Sequence, residues 1–255
     1  MAIAATVIML PSDPLKGFTI GAAGVAYLAN GGVVTKYQVQ ADKLTKIGEL
    51  PDRFGSDLGL FARKNGLTII DYGKKTACLS GPDGKRVWQT AVRTPNRVKV
   101  DENGDLLVSY ETASVGTKTA ISSSVEPLID SLGDEVFLPG LYDLAPGPKN
   151  GFYALMLDGR LFRITVSTAE KIATLKNAHA IIHSKLGGVL VLTESSGRNE
   201  VLHVSDEGKT TSLWKAEDGA VRAIDFDRTG DGDIVLLGKT ANGGVAYRID
   251  PESTK

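Results

Sequence analysis

One phrase recurs six times along this chain: an apolar strand, a polar turn that ends in glycine, and a second apolar strand. In the clearest copy, residues 97–108, alternation places Val98 and Val100 on one face, and Asn103-Gly104 makes the turn. Residues 221–236 form a near twin of this copy. Weaker copies occupy residues 17–28, 57–70, 141–155 and 178–192. The chain is therefore a series of similar small units.

The spacing of the turns sets the length of the unit. The marker glycines are Gly24, Gly66, Gly104, Gly151, Gly188 and Gly232. Successive intervals are 42, 38, 47, 37 and 44 residues. The stretch after the last marker and the stretch before the first add up to 47 residues, so the two ends of the sequence together supply one more repeat.

Each repeat holds four strands, because strand, turn and strand also alternate between the markers. Residues 67–72, 75–79 and 86–90 show this pattern, with a Pro82-Asp83-Gly84 turn. A unit of about 40 residues with four strands is typical of a β-propeller blade, whose sheet buries both faces against its neighbours. An open row of such sheets would expose two apolar end faces, which a ring avoids.

We therefore predict an all-β fold, a six-bladed β-propeller with four-stranded antiparallel blades in a single domain spanning residues 1–255. The ring is expected to close through an N-terminal strand, residues 2–9, that completes the last blade beside residues 234–237 and 244–249.

Two repeats, residues 98–110 and 223–238, resemble those of six-bladed propellers of the NHL and SMP-30-like kind. In that repeat an apolar strand, Asp, a polar pair, Gly and a second apolar strand follow one another. The resemblance implies the fold. Propellers of this kind include enzymes, peptide binders and RNA binders, so the fold alone leaves the function open.

Composition narrows the function classes. A net charge of -1 and a pI near 6.3 give no overall attraction to nucleic acid or to anionic membranes. No run of residues reaches the length of a membrane-spanning helix, so we expect no membrane contact. Cys78 has no partner for a disulfide, and no basic residue precedes the apolar residues 1–10 as in an export signal. We expect a cytoplasmic protein or a virion component rather than an exported one.

Two groups of residues invite a metal or catalytic interpretation. Asp225, Asp227, Asp231 and Asp233 lack the spacing of a calcium loop, so we interpret them as a solvated hairpin turn. His179 and His183 lie four residues apart in a strand, about 13 Å from each other, which is too far to share one ion. We interpret both as partly buried, hydrogen-bonded side chains.

The sequence contains no nucleophile elbow, phosphate loop or zinc-spaced Cys and His set. We therefore assign no catalytic residue, no metal and no cofactor. The resemblance to metal-dependent propeller lactonases, which use Glu, Asn and Asp residues of inner strands, makes Glu111 and Glu194 the alternative candidates.

Charge is unevenly distributed along the chain. Residues 31–100 contain 13 Lys and Arg against 6 Asp and Glu, whereas residues 101–148 contain one Lys against 9 Asp and Glu. Such segregation can guide a complementary protein partner or a second copy of the chain. Chance sorting of solvated side chains is the alternative. We expect no nucleic-acid partner, because exposed aromatic residues that stack bases are lacking.

The third repeat is the longest internal one, and its residues 112–124 are rich in Ser, Thr and Ala. We expect a protruding loop there, with a capping box from Ser123 to Glu126 that starts one helical turn. Because long loops on propeller faces commonly bind partners, we predict binding through Thr112, Lys118, Ser123 and Glu126.

The leading prediction is a non-catalytic protein-interaction or scaffold module, a subunit of a larger assembly such as a viral particle or a cytoplasmic complex. The alternative is a metal-dependent hydrolase or lyase of the SMP-30-like type that works in the central channel. A channel lined by converging carboxylate, amide or imidazole groups would favour the enzyme.

Overall fold

The computed structural model describes residues 5–11, 17–93, 95–119, 122, 124–147, 151–217, 221–240 and 243–250. These residues form six separate four-stranded sheets, and the strand pairs within each sheet are antiparallel. The helical content of these ranges is one short 3-10 turn, Ala22–Gly24. The structure is a six-bladed β-propeller, as predicted.

The strands are numbered in chain order, beginning with β1 (Ala5–Met9). Blade 1 contains β2 (Phe18–Ile20), β3 (Val25–Asn30), β4 (Val33–Gln40) and β5 (Lys43–Glu49). Blade 2 contains β6 (Leu58–Arg63), β7 (Gly66–Asp71), β8 (Thr76–Ser80) and β9 (Arg86–Ala91). Blade 3 contains β10 (Pro95–Val100), β11 (Leu106–Tyr110), β12 (Val115–Lys118) and β13 (Glu126–Pro127).

The second half of the ring has the same organisation. Blade 4 contains β14 (Leu141–Pro146), β15 (Phe152–Met156), β16 (Arg160–Ile164) and β17 (Ala169–Thr174). Blade 5 contains β18 (Ala178–His183), β19 (Val189–Ser195), β20 (Arg198–Val204) and β21 (Thr210–Lys215). Blade 6 contains β22 (Arg222–Arg228), β23 (Ile234–Thr240) and β24 (Gly243–Ile249), with β1 as its fourth strand.

The ring closes through β1, as the sequence predicts. This strand pairs antiparallel with β24, from Ala5 opposite Ile249 to Met9 opposite Val245. Ile8 of β1 is 0% exposed and packs in the apolar cluster between blades 6 and 1. Burying an isoleucine side chain contributes about 1.5–3 kcal/mol, so closure is stabilised by side-chain packing as well as by backbone hydrogen bonds.

The core is divided into six apolar clusters, one between each pair of neighbouring blades. Strand β11 shows how one blade serves two of them. Leu106 and Val108 face blade 2, whereas Leu107 faces blade 4. Because both faces of each sheet are buried, the second strands contain continuous apolar runs instead of an apolar-polar alternation.

The turn between the first two strands of a blade explains the repeated Asp, polar pair and Gly. In blade 3 the Asp101 carboxylate accepts hydrogen bonds from the backbone N–H groups of Asn103 (2.8 Å) and Asp105 (2.9 Å). In blade 6 the Thr229 hydroxyl accepts one from the Asp233 N–H at 3.0 Å. A short polar side chain therefore fixes the turn from its first position.

Glycine ends this turn because a side chain has no room there. At Gly66 (φ 141°) an added Cβ would overlap the carbonyl oxygen of Ser80, at the end of the third strand of blade 2. At Gly188 (φ 73°) it would overlap the carbonyl oxygen of Val204 in the third strand of blade 5. The positive φ angles also favour glycine. At these two marker glycines the second strand thus begins where it passes close to the third.

Candidate functional site at the start of the inner strands

The inner strands β6, β10, β14, β18 and β22 line the central channel, and their first residues meet at one end of it. Two cavities lie along it. The wide cavity, about 680 Å³, is lined by the starts of inner strands, including Asp57, Arg97, Asp143 and Asp225. The narrow cavity, about 190 Å³, is lined by the ends of the same strands, including Arg63.

Ionisable and amide side chains from five blades meet at the wide cavity. Aromatic side chains also line this cavity, so its wall offers both charged and apolar contacts. Its polar and aromatic lining comprises Asp57, Phe61, Tyr72, Asn96, Arg97, Lys99, Tyr142, Asp143, His179, Glu194, Asn199, Arg222, Asp225 and Phe226. The volume of this cavity is in the usual range of small-molecule sites, and its lining is more polar than in most of them.

Lys99 and Asp143 form a buried ion pair on the wall of the wide cavity. The Lys99 Nζ atom lies 3.2 Å from Asp143 Oδ2, and the two side chains are 12% and 2% exposed. The backbone N–H of Ile181 donates a hydrogen bond of 2.8 Å to the same oxygen. The other oxygen, Asp143 Oδ1, is buried and has no hydrogen-bond partner among the described residues. This carboxylate can therefore accept one more hydrogen bond without losing those that hold it.

Asp225 is a carboxyl group that retains its proton more readily than an ordinary aspartate. Burial raises its pKa, and the charges of Asp227 and Asp143 raise it further, while the positive charge of Lys99 opposes them. Its Oδ1 atom accepts a hydrogen bond of 2.8 Å from the backbone N–H of Phe226. A carboxyl group of this kind can donate a proton at a pH at which an exposed aspartate has already lost its own.

Two tyrosines lie beside the charged residues of the wide cavity. Burial raises the pKa of the Tyr72 hydroxyl, and the nearby carboxylates of Asp225 and Asp57 raise it further. Tyr72 therefore stays protonated and can only act as a neutral donor or acceptor. The guanidinium of Arg97 lies over the ring of Tyr142, 5.9 Å from its centroid, in a cation–π contact.

The narrow cavity is closed by a network of arginines. Arg63 donates to both carboxylate oxygens of Asp227, at 2.8 and 3.0 Å, and to the carbonyl oxygen of Val100 at 2.8 Å. Arg228 donates to the carbonyl oxygens of His183 (2.8 Å) and Gly232 (2.7 Å). The network links blades 2, 3, 5 and 6; it pairs Arg63 with Asp227 and holds Arg228 by backbone carbonyl oxygens.

The acidic run predicted to be a solvated turn is divided between two environments. Asp231 and Asp233 do lie in the turn between β22 and β23. Asp225 and Asp227 lie on the inner strand β22, which spans Arg222–Arg228 and faces the channel. The solvated-turn interpretation is wrong for these two residues, because the strand extends to Arg228 before the turn begins. The turn itself is shorter than the acidic run.

The two histidines also lie in different environments. His179 is exposed at the wide cavity, whereas His183 is partly buried at the narrow one. Both belong to β18, so the distance expected from strand geometry agrees with their location at opposite ends of one inner strand. The expected partial burial is found for His183 and is wrong for His179, which is exposed. Burial and the charge of Arg228 lower the pKa of His183.

The residues predicted to bind a partner lie in blade 3, but not together in a protruding loop. Thr112 is exposed in a turn, 3.0 Å from the Ser114 hydroxyl, and Glu126 is exposed on β13. Lys118 is 2% exposed, with its Nζ atom 4.5 Å from the centroid of the Trp88 ring. Ser123 lies outside the described residues.

The helical turn predicted from the capping box is wrong, because Glu126 instead belongs to a two-residue strand that pairs with β12. Strand β12 likewise occupies four of the residues expected to form a loop. Burial lowers the pKa of Lys118, and its ammonium donates to the carbonyl oxygens of Thr119 and Ser122. Whether Thr112, Lys118, Ser123 and Glu126 bind a partner stays a prediction.

Glu194 and Glu111, the candidates from the lactonase resemblance, have different positions. Glu194 is exposed at the wide cavity on β19, the second strand of blade 5, and Glu111 lies outside that cavity in a turn after β11. Within the described ranges, no group of three His, Cys, Asp or Glu side chains lies close enough to hold a metal ion. Among the described residues, His, Cys, Asp and Glu side chains therefore form no donor set for a divalent metal ion.

Several residues of the wide cavity were not found from the sequence. Lys99 and Asp143 are each flanked by apolar or aromatic residues within an inner strand, and a charged residue in that position is the signal that could have revealed them. Tyr72 offered no such signal, because tyrosine is common in strands. Asn199 is held by a hydrogen bond of 2.8 Å to the carbonyl oxygen of Val221, a contact that joins blades 5 and 6 and that sequence spacing cannot show.

Comparison with known proteins supports the fold. No protein-family model matches the chain, and no curated protein matches it in sequence. Among solved structures, a streptogramin B lyase is 11% identical, with a TM-score of 0.58 and 97% of each chain covered. A gluconolactonase from Xanthomonas campestris is 14% identical, with a TM-score of 0.60, covering 96% of this chain and 90% of its own. This chain shares their propeller fold.

A third similar structure is a calcium-binding protein, regucalcin, from Agrobacterium tumefaciens. It is 13% identical, with a TM-score of 0.53, covering 98% of this chain and 96% of its own. The resemblance to SMP-30-like propellers is therefore confirmed at the level of the fold. At such identities the similarity establishes the fold, and the activity of this chain is a separate question.

The prediction of a non-catalytic scaffold is wrong. The similar structures are a lyase, a gluconolactonase and a calcium-binding regucalcin, which favour the alternative, a hydrolase or lyase. The prediction rested on the absence of catalytic motifs. In a propeller, however, the channel is lined by single residues from separate blades, so no short motif needs to appear in the sequence.

The remaining predictions concern the membrane, the cellular location, the extent of the domain and the partner. Within the described ranges, no helix has both the length and the apolar character needed to span a bilayer. The cytoplasmic or virion location, the single domain over residues 1–255 and the charge-guided protein partner stay predictions.

Proposed function

We propose that this chain is a hydrolase or lyase that acts on a small polar molecule in the wide cavity. The observation that supports it most is the position of Asp225, a carboxyl group with a raised pKa, in the same cavity as Lys99, Asp143 and His179. Groups whose pKa values are shifted in a cavity are characteristic of acid–base sites. The lyase and gluconolactonase with the same fold support this class of reaction.

The residues of the cavity divide the work of bond cleavage between them. Asp225 in its protonated form can donate a proton to a leaving oxygen, and the imidazole of His179 can accept one from water or from carbon. Lys99 and Arg97 supply positive charge that stabilises a developing oxyanion. These roles need no short motif, because each residue comes from a different position along the chain.

A cyclic ester is the substrate to test first, since one similar structure is a gluconolactonase. In its hydrolysis, water adds to the carbonyl carbon and the ring C–O bond breaks. The ring oxygen takes a proton to become a hydroxyl group, and the former carbonyl carbon becomes a carboxylate, with release of one proton. A cavity of about 680 Å³ accommodates a single sugar-sized ring with space for water.

The test measures proton release from a panel of small lactones that includes glucono-lactone, in weakly buffered solution with a pH indicator. We expect turnover by the wild type and a loss of at least about 100-fold in the Asp225→Asn variant, the usual effect of removing an acid–base group. Asp231→Asn is the matched control, because this aspartate is exposed in the turn that follows the same strand.

The proposal fails if no lactone in the panel is opened faster than in buffer, or if Asp225→Asn is as active as the wild type. Thermal unfolding of each variant shows whether a loss of turnover comes from the site or from the fold. Asp225→Asn is expected to be no less stable than the wild type at pH 7, because a carboxyl with a raised pKa destabilises the folded state once it ionises.

A further inference from the structure

Lys99 lies where the two cavities of the channel meet. Its residue lines both the wide and the narrow cavity, and its side chain is 12% exposed. It belongs to β10, between Val98 and Val100, which are buried against blade 2. The alternation of the strand therefore directs Lys99 to the opposite face of the sheet, toward blade 4, where Asp143 lies.

The ammonium group acts on two carboxyl groups from two other blades. It lies 3.2 Å from Asp143 Oδ2 of blade 4. Its positive charge also lowers the pKa of Asp225 in blade 6, whereas burial and the charge of Asp143 raise that pKa. One positive charge, contributed from blade 3, thus acts on both Asp143 and Asp225 at the wide cavity.

This arrangement differs from a divalent metal site in its donors and in its charge. A hard divalent ion is held by several oxygen ligands that surround it. Here Asp143 Oδ2 already accepts from Lys99 and from the Ile181 N–H. In the ranges that the structure describes, no third His, Cys, Asp or Glu joins a pair to complete a metal-binding set. A divalent cation beside Asp143 would also be repelled by the ammonium group of Lys99.

We propose that the Lys99 ammonium is the resident cation of the wide cavity, occupying the position beside Asp143 and near Asp225 in which a divalent metal ion would otherwise compensate the carboxylates. The chemistry of the cavity then needs no divalent metal. This inference rests on the proposed function in placing the reaction at the wide cavity. Its test uses no substrate, so the two proposals can fail separately.

The first experiment is a calorimetric titration of the full chain, stripped with a chelator, with Ca²⁺, Mg²⁺ and Zn²⁺ in turn. We expect no saturable binding at millimolar concentrations and the same melting temperature with and without chelator. Saturable binding of one ion per chain that is lost in Asp143→Asn would overturn the inference. Metal binding that persists in Asp143→Asn would come from a site outside the wide cavity, and the wide cavity itself would still be without a bound metal, as expected.

The second experiment measures the pKa of the Asp225 carboxyl by carbon-13 NMR in charge variants. In Lys99→Met, which keeps the chain length and removes the charge, we expect this pKa to rise by about one pH unit. Lys99→Arg keeps the charge and should return the pKa toward the wild-type value. Lys171→Met, at an exposed strand lysine, should leave it unchanged.

An unchanged Asp225 pKa in folded Lys99→Met would contradict the inference, because a purely structural lysine would have that result. If Lys99→Met does not fold, the metal titration of the wild type and the Asp225 pKa in Lys99→Arg still test the inference. A metal-dependent site would bind a metal ion in the wild type. Where a substrate is found, the alkaline limb of the pH profile for kcat should follow the Asp225 pKa across the same variants, because Asp225 acts in its protonated form.

Discussion

The two ends of the central channel are built from the same inner strands, but they treat charge in opposite ways. At the narrow end, Arg63 donates to both oxygens of Asp227 and to backbone carbonyls, so the buried charges are paired within the protein. At the wide end, Asp143 keeps a buried oxygen without a partner among the described residues, and Asp225 is held with a raised pKa.

This difference separates a structural site from a reactive one. A buried ion pair with all its hydrogen bonds made holds blades together, and its disruption is costly. A carboxyl group that is only partly compensated is costly to keep in the folded state, yet it can exchange a proton or accept a hydrogen bond from a ligand. We therefore expect substitutions at the narrow end to change stability and those at the wide end to change activity.

The largest effect should come from opening the ring, which would remove both ends at once. Deleting residues 1–10 removes β1 from blade 6 and exposes the cluster between blades 6 and 1. Native domains are stable by only about 5–15 kcal/mol, so we expect the deletion variant to be unfolded or to melt at a much lower temperature. Thermal unfolding followed by circular dichroism measures this.

Single substitutions in β1 provide a graded control for the deletion. Ile8→Ala, at a fully buried position, should lower the free energy of unfolding by about 2–5 kcal/mol. Val7→Ala, at a position that is 42% exposed, should change it by about 0.5 kcal/mol or less. An unchanged melting temperature after the deletion would mean that blade 6 does not need β1.

The next largest effect is expected at the narrow end. Replacing one partner of the Arg63–Asp227 pair, in Arg63→Met or Asp227→Asn, leaves a buried charge uncompensated and should cost about 3–5 kcal/mol. Urea unfolding of the single variants and of the double variant measures the coupling between the two residues. If either single variant unfolds at the wild-type midpoint, the narrow end is not the structural site that its hydrogen bonds indicate.

The smallest effect is a pH dependence that should distinguish the two histidines of β18. Burial lowers the pKa of His183 below its ordinary value of 6.5, so the unfolded chain binds more protons than the folded protein in that range. Stability should therefore be highest above about pH 6.5 and fall as the pH drops toward the folded-state pKa, by at most about 1.4 kcal/mol per pH unit.

Melting temperatures between pH 5 and pH 8 test this. His183→Gln should flatten the acid side of the profile, whereas His179→Gln, at an exposed position in the wide cavity, should leave the profile as in the wild type and lower turnover. The reverse outcome, with His179 controlling stability, would show that the two ends do not divide the roles as described.

The fold was predictable because its rules are local and repeated. At Gly66 and Gly188 a side chain would overlap the third strand of the blade, so steric exclusion leaves a trace in the sequence at these turns. Closure by β1 followed from spacing alone, because the two ends of the chain together make one repeat. The capping-box helix failed where a local motif competed with the strand order of the blade, and pairing with β12 placed Glu126 in a strand.

The site was much less predictable, because proximity around a ring is not encoded by proximity in sequence. Lys99, Asp143 and Asp225 come from three blades, and no pattern in the chain relates them. The sequence could show only that each is a charged residue flanked by apolar or aromatic residues within a strand. Asp225 was assigned to a turn because the following residues are rich in Asp and Gly, which obscured the end of β22.

The pairing of β1 with β24 also has a consequence for biosynthesis. Nearly all of the described chain separates the two strands, so the ribosome releases the first long before it makes the second, roughly ten seconds or more at ordinary elongation rates. Throughout that time the nascent protein carries a strand that cannot yet pair in its final place, together with the exposed edge of a growing arc. Ring closure is thus among the last events of folding. Before it, the exposed sheet edge makes the incomplete protein most prone to aggregate with other chains.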